Sequence, residues 1–329
     1  MKNLLSKRFK TLGIMLSLAI LMTIPTALFA ADPYPTKPVR IVIPFPPGGS
    51  NDIVGRLIAA KLTERLGKQV IAENKGGAGG VLGTEMASKA EPDGYTLLII
   101  SAAHAINPAL YKLPYDHDKA FVPVARLGSG PNVLAAHPSV PANSVKELIA
   151  LAKKQPGKLI YPSAGTGTFK HLSGELFKSM AGIDIMIVQF KGGGPAIVDL
   201  LGGHSHFSLG SLAESMSHIK SGKLKALGVG GKKRTVALPD VPTISESGLP
   251  GYESTNWWGL LAPAGTPKTV VERLNKELAV IMNAPETMKI FEEQGAEADY
   301  AGPAEFGAFI DAETAKWAKV VKQANIKVE

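Results

Sequence analysis

The chain has 329 residues and no cysteine, which excludes disulfides, thiol catalysis, thiolate metal sites and a lipid-modified N-terminal cysteine. Lys and Arg total 36 against 28 acids, a formal charge of +8; the charge falls to +4 without residues 1–30, which carry Lys2, Lys7, Arg8 and Lys10 and no acid. The remaining cations are scattered and form no aromatic-interleaved patch, so the balance bears on solubility and argues against a nucleic-acid partner.

The first segment has a basic start, an uncharged apolar run over 12–24, and small residues at Ala27, Ala30 and Ala31. That order predicts a cleavable signal peptide over 1–30 and export to the periplasm. The apolar run is short for a membrane span, which needs ~20 apolar residues. The remaining chain, on the order of 300 residues, can bury a large core and is of a size that usually splits into two domains.

Strand-like runs then follow at 39–45, 69–73, 95–101, 132–136, 158–163, 185–190, 206–209 and 224–229. Helical patterns lie between them at 52–66, 81–90, 145–154, 169–180, 195–201 and 212–221. This alternation predicts an α/β fold with largely parallel sheets flanked by helices. Ser144 with Glu147 three residues on forms a capping box. From Pro267 the pattern is helical, with Val270, Leu274, Leu278 and Ile281 on one face. Gly302-Pro303 opens the last helix. Two extended stretches, 121–131 and 253–263, are flanked by Gly and Pro. If both cross between domains, the first domain is 32–127 plus 251–329, and 128–250 is a second domain inserted in it.

The stretch "VRIVIPFPPGGSNDIVGRL" runs a strand into Phe45, Pro46, Pro47, Gly48 and Gly49 and on to a helix start at 50–52. The two glycines permit a sharp turn. The unpaired N–H groups of the following helix make an anion site. A plain strand-to-helix turn fits this one loop equally well. Neither the phosphate-loop pattern nor the dinucleotide fingerprint occurs, so a carboxylate suits the loop better. Asp52 touches a ligand or complements the helix dipole, the second being preferred.

The same layout recurs. "YPSAGTGTF" offers Ser163, Gly165, Thr166, Gly167 and Thr168, with hydroxyl donors besides the backbone ones. "FKGGGPAI" offers Phe190, Gly193, Gly194 and Pro195, and "ISAAHAINP" offers Ser101, Ala102 and His104. Two such ends per domain, facing across a cleft, suit an elongated ligand with a carboxylate at each end. Enzyme signals are weak: there is no G-x-S-x-G elbow. His204 and His206 lack a third ligand at a metal-binding spacing, so neither metal nor cofactor is expected. Trp257-Trp258 reads as core or hinge packing before ligand stacking.

"YPTKPVRIVIPFPPGGSNDIVGRLIAAKL", "ENKGGAGGVLG", "SAGTGTFKHLSGELF", "FKGGGPAIVDLLGG", "ALPDVPTISESGLPGYE" and "WWGLLAPAGTP" together resemble the periplasmic Bug-type receptors of tripartite tricarboxylate transport systems. The resemblance runs over nearly the whole chain after residue 30. It implies a two-domain Venus-flytrap fold of the periplasmic-binding-protein type with two inter-domain crossings. It implies capture of a small carboxylate, delivery to membrane permease subunits, and action as a monomer. One ligand carboxylate would be held by backbone groups and ordered waters at Phe45 to Gly49 and Ser163 to Thr168, with Ser101 to His104 and Gly192 to Pro195 lining the rest. The sequence departs from that family at Phe190, where Tyr is frequent, and near Gly210, where an acid is frequent. A solute-binding protein is therefore the expected function. A secreted hydrolase of a carboxylate ester is the alternative, and a receptor that contacts a sensor is a third reading.

Overall fold

The computed structural model describes residues 34–323, so the expected signal segment lies outside the described residues. Strand β1 (Val39–Ile43) lies between β2 (Val70–Asn74) and β3 (Thr96–Ser101), parallel to both. Helices α1 (Ser50–Leu66) and α2 (Val81–Ser88) make the crossovers. On α1, Val54, Ile58, Leu62 and Leu66 recur every fourth residue and all are buried. This is the stripe a helix needs to sit on a sheet. The helix stops at Gly67, whose left-handed φ of 65° is cheap only for glycine.

After β3 comes α3 (Ala102–Leu110), where the sequence suggested only a turn. Pro108 is the misleading signal, since proline disrupts a helix interior. Here it enters near the end, and the buried face of Ala102, Ala105 and Ile106 decides the conformation.

Strand β4 (Phe121–Ala136) pairs antiparallel with β9 (Thr255–Pro263), from Phe121 opposite Pro263 to Pro131 opposite Thr255. The two extended stretches of the sequence therefore run side by side. The last residues of β4, Asn132 to Ala136, pair instead with β7 (Phe207–Ser211) and β8 (Lys225–Val229). The sheet order is β2-β1-β3-β9-β4-β7, with β8 also on β4. A separate parallel pair joins β5 (Ile160–Ser163) to β6 (Met186–Gln189). Among the described residues, every antiparallel pairing involves β4 or β9. Parallel strand pairs join β1 to β2 and β3 and β5 to β6, whose connections carry helices, and one isolated parallel bridge joins Val229 to Thr243.

The remaining helices are α4 (Val145–Lys154), α5 (Phe169–Ala181), α6 (Gly193–Leu201), α7 (Leu212–Lys220), α8 (Lys268–Met282), α9 (Pro285–Glu293) and α10 (Pro303–Gln323). At the start of α4 the Ser144 hydroxyl accepts from Glu147 N–H at 3.2 Å. The Glu147 carboxylate reaches one residue further back than the capping box requires, to Asn143 N–H at 2.8 Å.

One core cluster draws only on residues from Leu134 to Tyr252, with Tyr161, Phe177 and Phe207 at its centre. Another joins Val42, Leu98, Trp257, Phe306 and Trp317 to Phe169 and Leu172 of α5. The Phe169 and Trp317 rings meet edge-on at 5.8 Å. The first turn of α5 is thus anchored in the core built on β1 and β3, while Phe177 and Ala181 further along the helix belong to the other cluster. Residues 37–323 pack as one compact unit accordingly.

Candidate carboxylate site

Four strand-to-helix turns converge. After β1 the chain turns at Gly48, whose φ of +85° suits glycine. Gly48 N–H donates to the Asp52 carboxylate at 3.0 Å, and the same carboxylate accepts from Arg56 at 2.8 Å and Asn74 at 2.8 Å. Asp52 is thereby the brace of the loop; all three bonds hold it to the protein. Asn51, next to it, donates to Ser101 Oγ at 3.2 Å. After β5, Thr168 caps α5: its hydroxyl donates to Gly165 O at 2.7 Å and accepts from His171 N–H at 3.3 Å.

These turns touch one another. A Cβ built on Gly48 would lie 3.4 Å from Gly194 Cα, and one on Gly192 would lie 2.6 Å from Pro46 Cδ. A Cβ on Gly194 would overlap the Pro47 carbonyl oxygen outright. Tyr111, just past α3, donates its hydroxyl to Thr166 O at 2.7 Å. Chain from both sides of the sheet path therefore closes over the same space.

That space holds a cavity of about 60 Å³ lined by Phe45, Gly49, Asn51, Ser101, Asn132, Thr168, Lys170, Gly193, Ser211, Glu214 and Asn256, among others. Since a single water needs ~10–15 Å³ on the same measure, it admits a group of several heavy atoms. A wider pocket of about 300 Å³ also borders on Phe45 and includes Pro46, Gly79, Tyr111, Gly165, Thr166, Phe190 and Lys191.

The sequence model of the family described as "Tripartite tricarboxylate transporter family receptor" (TctC) matches residues 54–326. The chain belongs to that family. Protein BugT of Bordetella pertussis is 36% identical over 303 residues, covering 91% of this chain and 93% of that protein. A solved structure described as R. palustris Rpa4515 with adipate matches at a TM-score of 0.87 and 36% identity, over 89% of this chain and 99% of the other. The periplasmic binding protein BugD matches at a TM-score of 0.86 and 36% identity, over 90% and 100%. The fold is thus the two-lobed periplasmic-binding-protein fold that the resemblance implied.

In this receptor the expected residues divide by position. Phe45, Gly49, Ser101, Thr168 and Gly193 line the inner cavity. Pro46, Gly165, Thr166 and Phe190 line the wider pocket. Pro47, Gly48 and Gly194 form the contact between loops. Gly167 packs against the Tyr111 ring, 2.8 Å from a built Cβ. Ala102 N–H donates to Asn256 Oδ1 at 3.3 Å, behind the lining. Pro195 is exposed in the first turn of α6. Ser163 is fully buried; its carbonyl accepts from Phe190 N–H at 3.0 Å, while its hydroxyl has no partner among the described residues. The His104 ring lies 4.6 Å from that of His117, tilted by 39°, and burial, then the His117 charge, pushes its imidazole down to about 3, so it is neutral at ordinary pH. His171 is likewise lowered by burial against the opposing pull of Glu175, and its Nδ1 accepts from Gly167 N–H at 3.3 Å.

Sequence reasoning missed the polar heart of the cavity. Lys170 and Glu214, at the first turns of α5 and α7, pair at 2.6 Å with side chains only 7% and 5% exposed. Asn132 donates to Ser173, Leu209 O and Ser254 within the core. The space beside Gly210, where the sequence lacks the acid frequent in the family, is occupied by a carboxylate from elsewhere. A Cβ on Gly210 would come within 2.8 Å of Glu214 Oε1, so Glu214 fills that place from four residues further on. The available signal was a lone polar residue inside a buried apolar strand, Asn132 in β4 and Asn256 in β9, which is the informative kind of exception.

Proposed function

We propose that this receptor captures a small carboxylate between two lobes in the periplasm and presents it to the membrane permease of a tripartite tricarboxylate-type transporter. The lobes are 32–127 plus 251–329, and 128–250; a core cluster confined to residues 134–252 and the paired crossings in β4 and β9 support that division. The observation that carries the reading is the meeting of the Phe45–Gly49 turn with the Gly192–Gly194 turn, and of Tyr111 with Thr166, around a cavity walled by amides and hydroxyls. Backbone N–H groups at such turns hold an anion without a buried arginine. Export relies on the leader, and the protein acts as a monomer without metal or cofactor.

The hydrolase reading finds less support. No serine in the cavity lining is hydrogen-bonded to a histidine among the described residues; the His137–Ser139 contact at 2.7 Å lies on an exposed turn. A thermal-shift screen of small carboxylates tests the proposal. A ligand at 100 times its dissociation constant stabilises the native state by ~2.7 kcal/mol. Turnover of carboxylate esters without any stabilising carboxylate overturns it.

A further inference from the structure

Glu313 reads in the sequence as an ordinary helix charge, yet its side chain is only 12% exposed. It stands four residues before Trp317 on α10, on the face that also buries Phe306, Ile310 and Val321. Its Oε2 accepts from two indole N–H groups, those of Trp257 and Trp317, each at 3.1 Å. Its Oε1 accepts from Lys316 at 2.8 Å. The two tryptophans lead in different directions. Trp257 lies in β9 opposite Ser129 of β4, on the paired crossings. Trp317 meets the Phe169 ring edge-on, at 5.8 Å and 89°. Phe169 stands between Thr168 and Lys170, and all three line the inner cavity. Glu313, Trp257 and Trp317 line neither that cavity nor the wider pocket. By sequence Phe169 belongs to the 128–250 segment and the tryptophans do not, yet the three rings share one core cluster.

We propose that Glu313 and Trp317 are positioning residues for the carboxylate site: Glu313 sets the Trp317 ring, and that ring holds Phe169 and with it the Thr168–Lys170 turn. This rests on the carboxylate-receptor reading and adds the distant part of the chain that keeps the binding turn in place. Aliphatic packing at Phe169 would fill the space without fixing the angle of the ring, whereas an edge-to-face pair is directional. A carboxylate oxygen shared by two indoles is directional as well, and its charge strengthens both bonds. The backbone on either side of Phe169 is the start of α5, whose N–H groups are the donors offered to an anion. Freedom at Trp317 therefore becomes freedom at those donors, and a ligand must then supply the ordering that the protein no longer supplies. The same carboxylate ties Trp257 on the crossing to this arrangement. That gives the first tryptophan of the Trp257-Trp258 pair a use beyond filling the core.

The probe is the tightest binder in a panel of small mono- and dicarboxylates, malate and adipate included. It is titrated calorimetrically into wild type, Glu313→Gln and Glu313→Leu, well below the melting temperature of each. Gln keeps an amide oxygen where the carboxylate stood and accepts from the indoles; Leu accepts from neither. Glu313→Leu is expected to bind at least about fivefold more weakly than wild type, and Glu313→Gln within about twofold of it. The second readout uses the wild-type protein: a nitrogen–proton correlation spectrum of the indole groups, with and without the probe. The chain has three tryptophans, so single Trp→Phe variants assign the signals, and elimination covers one variant that does not fold. The Trp317 indole signal is expected to shift at saturation although its ring does not touch the ligand. A merely structural Trp317 lowers stability when altered but leaves that signal and the affinity of the folded protein where they were. An unmoved Trp317 signal at saturation overturns the proposal, as does folded Glu313→Leu that binds as tightly as wild type or loses no more affinity than Glu313→Gln. The spectrum alone decides if Glu313→Leu does not fold. A binder that fails these tests leaves the carboxylate receptor standing and removes this inference; a panel without any binder removes both.

Discussion

Gly194→Ala separates the closed geometry from the fold. Gly194 is the second residue of α6, buried, with no positive φ. In a helix, Ala is favoured over Gly by ~0.5–1 kcal/mol. Taken alone, α6 should tolerate or gain from the change. The Cβ, however, would overlap the Pro47 carbonyl oxygen and lie 3.2 Å from the Pro47 carbonyl carbon and 3.5 Å from Gly48 Cα. All three are backbone atoms, so no side chain can rotate away. The two turns must part, and overpacking of this kind costs about 1–3 kcal/mol. That cost falls on the state in which the turns meet. Ligand affinity should therefore drop by a factor of about 5–150, while the ligand-free melting temperature holds or rises. Calorimetric titration together with thermal unfolding reads both. A variant that binds with unchanged affinity would refute the claim that the bound state brings these turns together. The sequence directs attention to Gly49 instead, but a Cβ there meets Gly193 only at 3.7 Å, an ordinary contact.

Three further outcomes are expected. Lys170→Met leaves the Glu214 charge buried and unpaired, so urea unfolding should show a loss of about 3–5 kcal/mol, with much of it recovered in Lys170→Met/Glu214→Leu; a loss below about 1 kcal/mol contradicts the burial argument. Tyr111→Phe removes the 2.7 Å bond to Thr166 O that spans the site, and should weaken ligand binding by ~0.5–1.5 kcal/mol, about two- to tenfold, without a matching fall in ligand-free stability. The buried imidazole of His104, pushed down to about 3 by burial, stays neutral in the native state while the unfolded chain takes up a proton there below about 6.5, and His117, His171 and His206, each lowered chiefly by desolvation, act in the same direction. The stability they contribute is present above that pH and is lost as pH falls toward 4, at up to ~1.4 kcal/mol per pH unit for each group; His104→Phe should flatten the slope, and an unaltered slope speaks against it.

The order of elements was legible in the sequence because each has a local cause. The four-residue stripe of α1 and the glycine at its end are examples. The extended stretches 121–131 and 253–263 were legible as well, but not that β4 and β9 pair with each other, because the partners are more than a hundred residues apart. Helix α3 was hidden behind Pro108, a local signal that tertiary burial overrides. The loops at Gly48 and Thr168 could be found because glycine and hydroxyl residues at a strand end have one obvious use. Lys170 and Glu214 could not be found that way. Each alone is an ordinary charge in the first turn of an exposed-looking helix, and only the folded chain sets them 2.6 Å apart inside a cavity. The same holds for the Glu214 carboxylate beside Gly210, since a side chain reaches back across one helical turn.

The most direct test of the account is a crystal structure of the protein with its tightest-binding small carboxylate. The account predicts the carboxylate within hydrogen-bond distance of backbone N–H groups in the Gly48–Gly49 and Gly165–Thr168 turns, with the far end of the ligand against Lys170 and Glu214. A ligand held outside these turns, or one whose carboxylate is bound by surface cations alone, would contradict it.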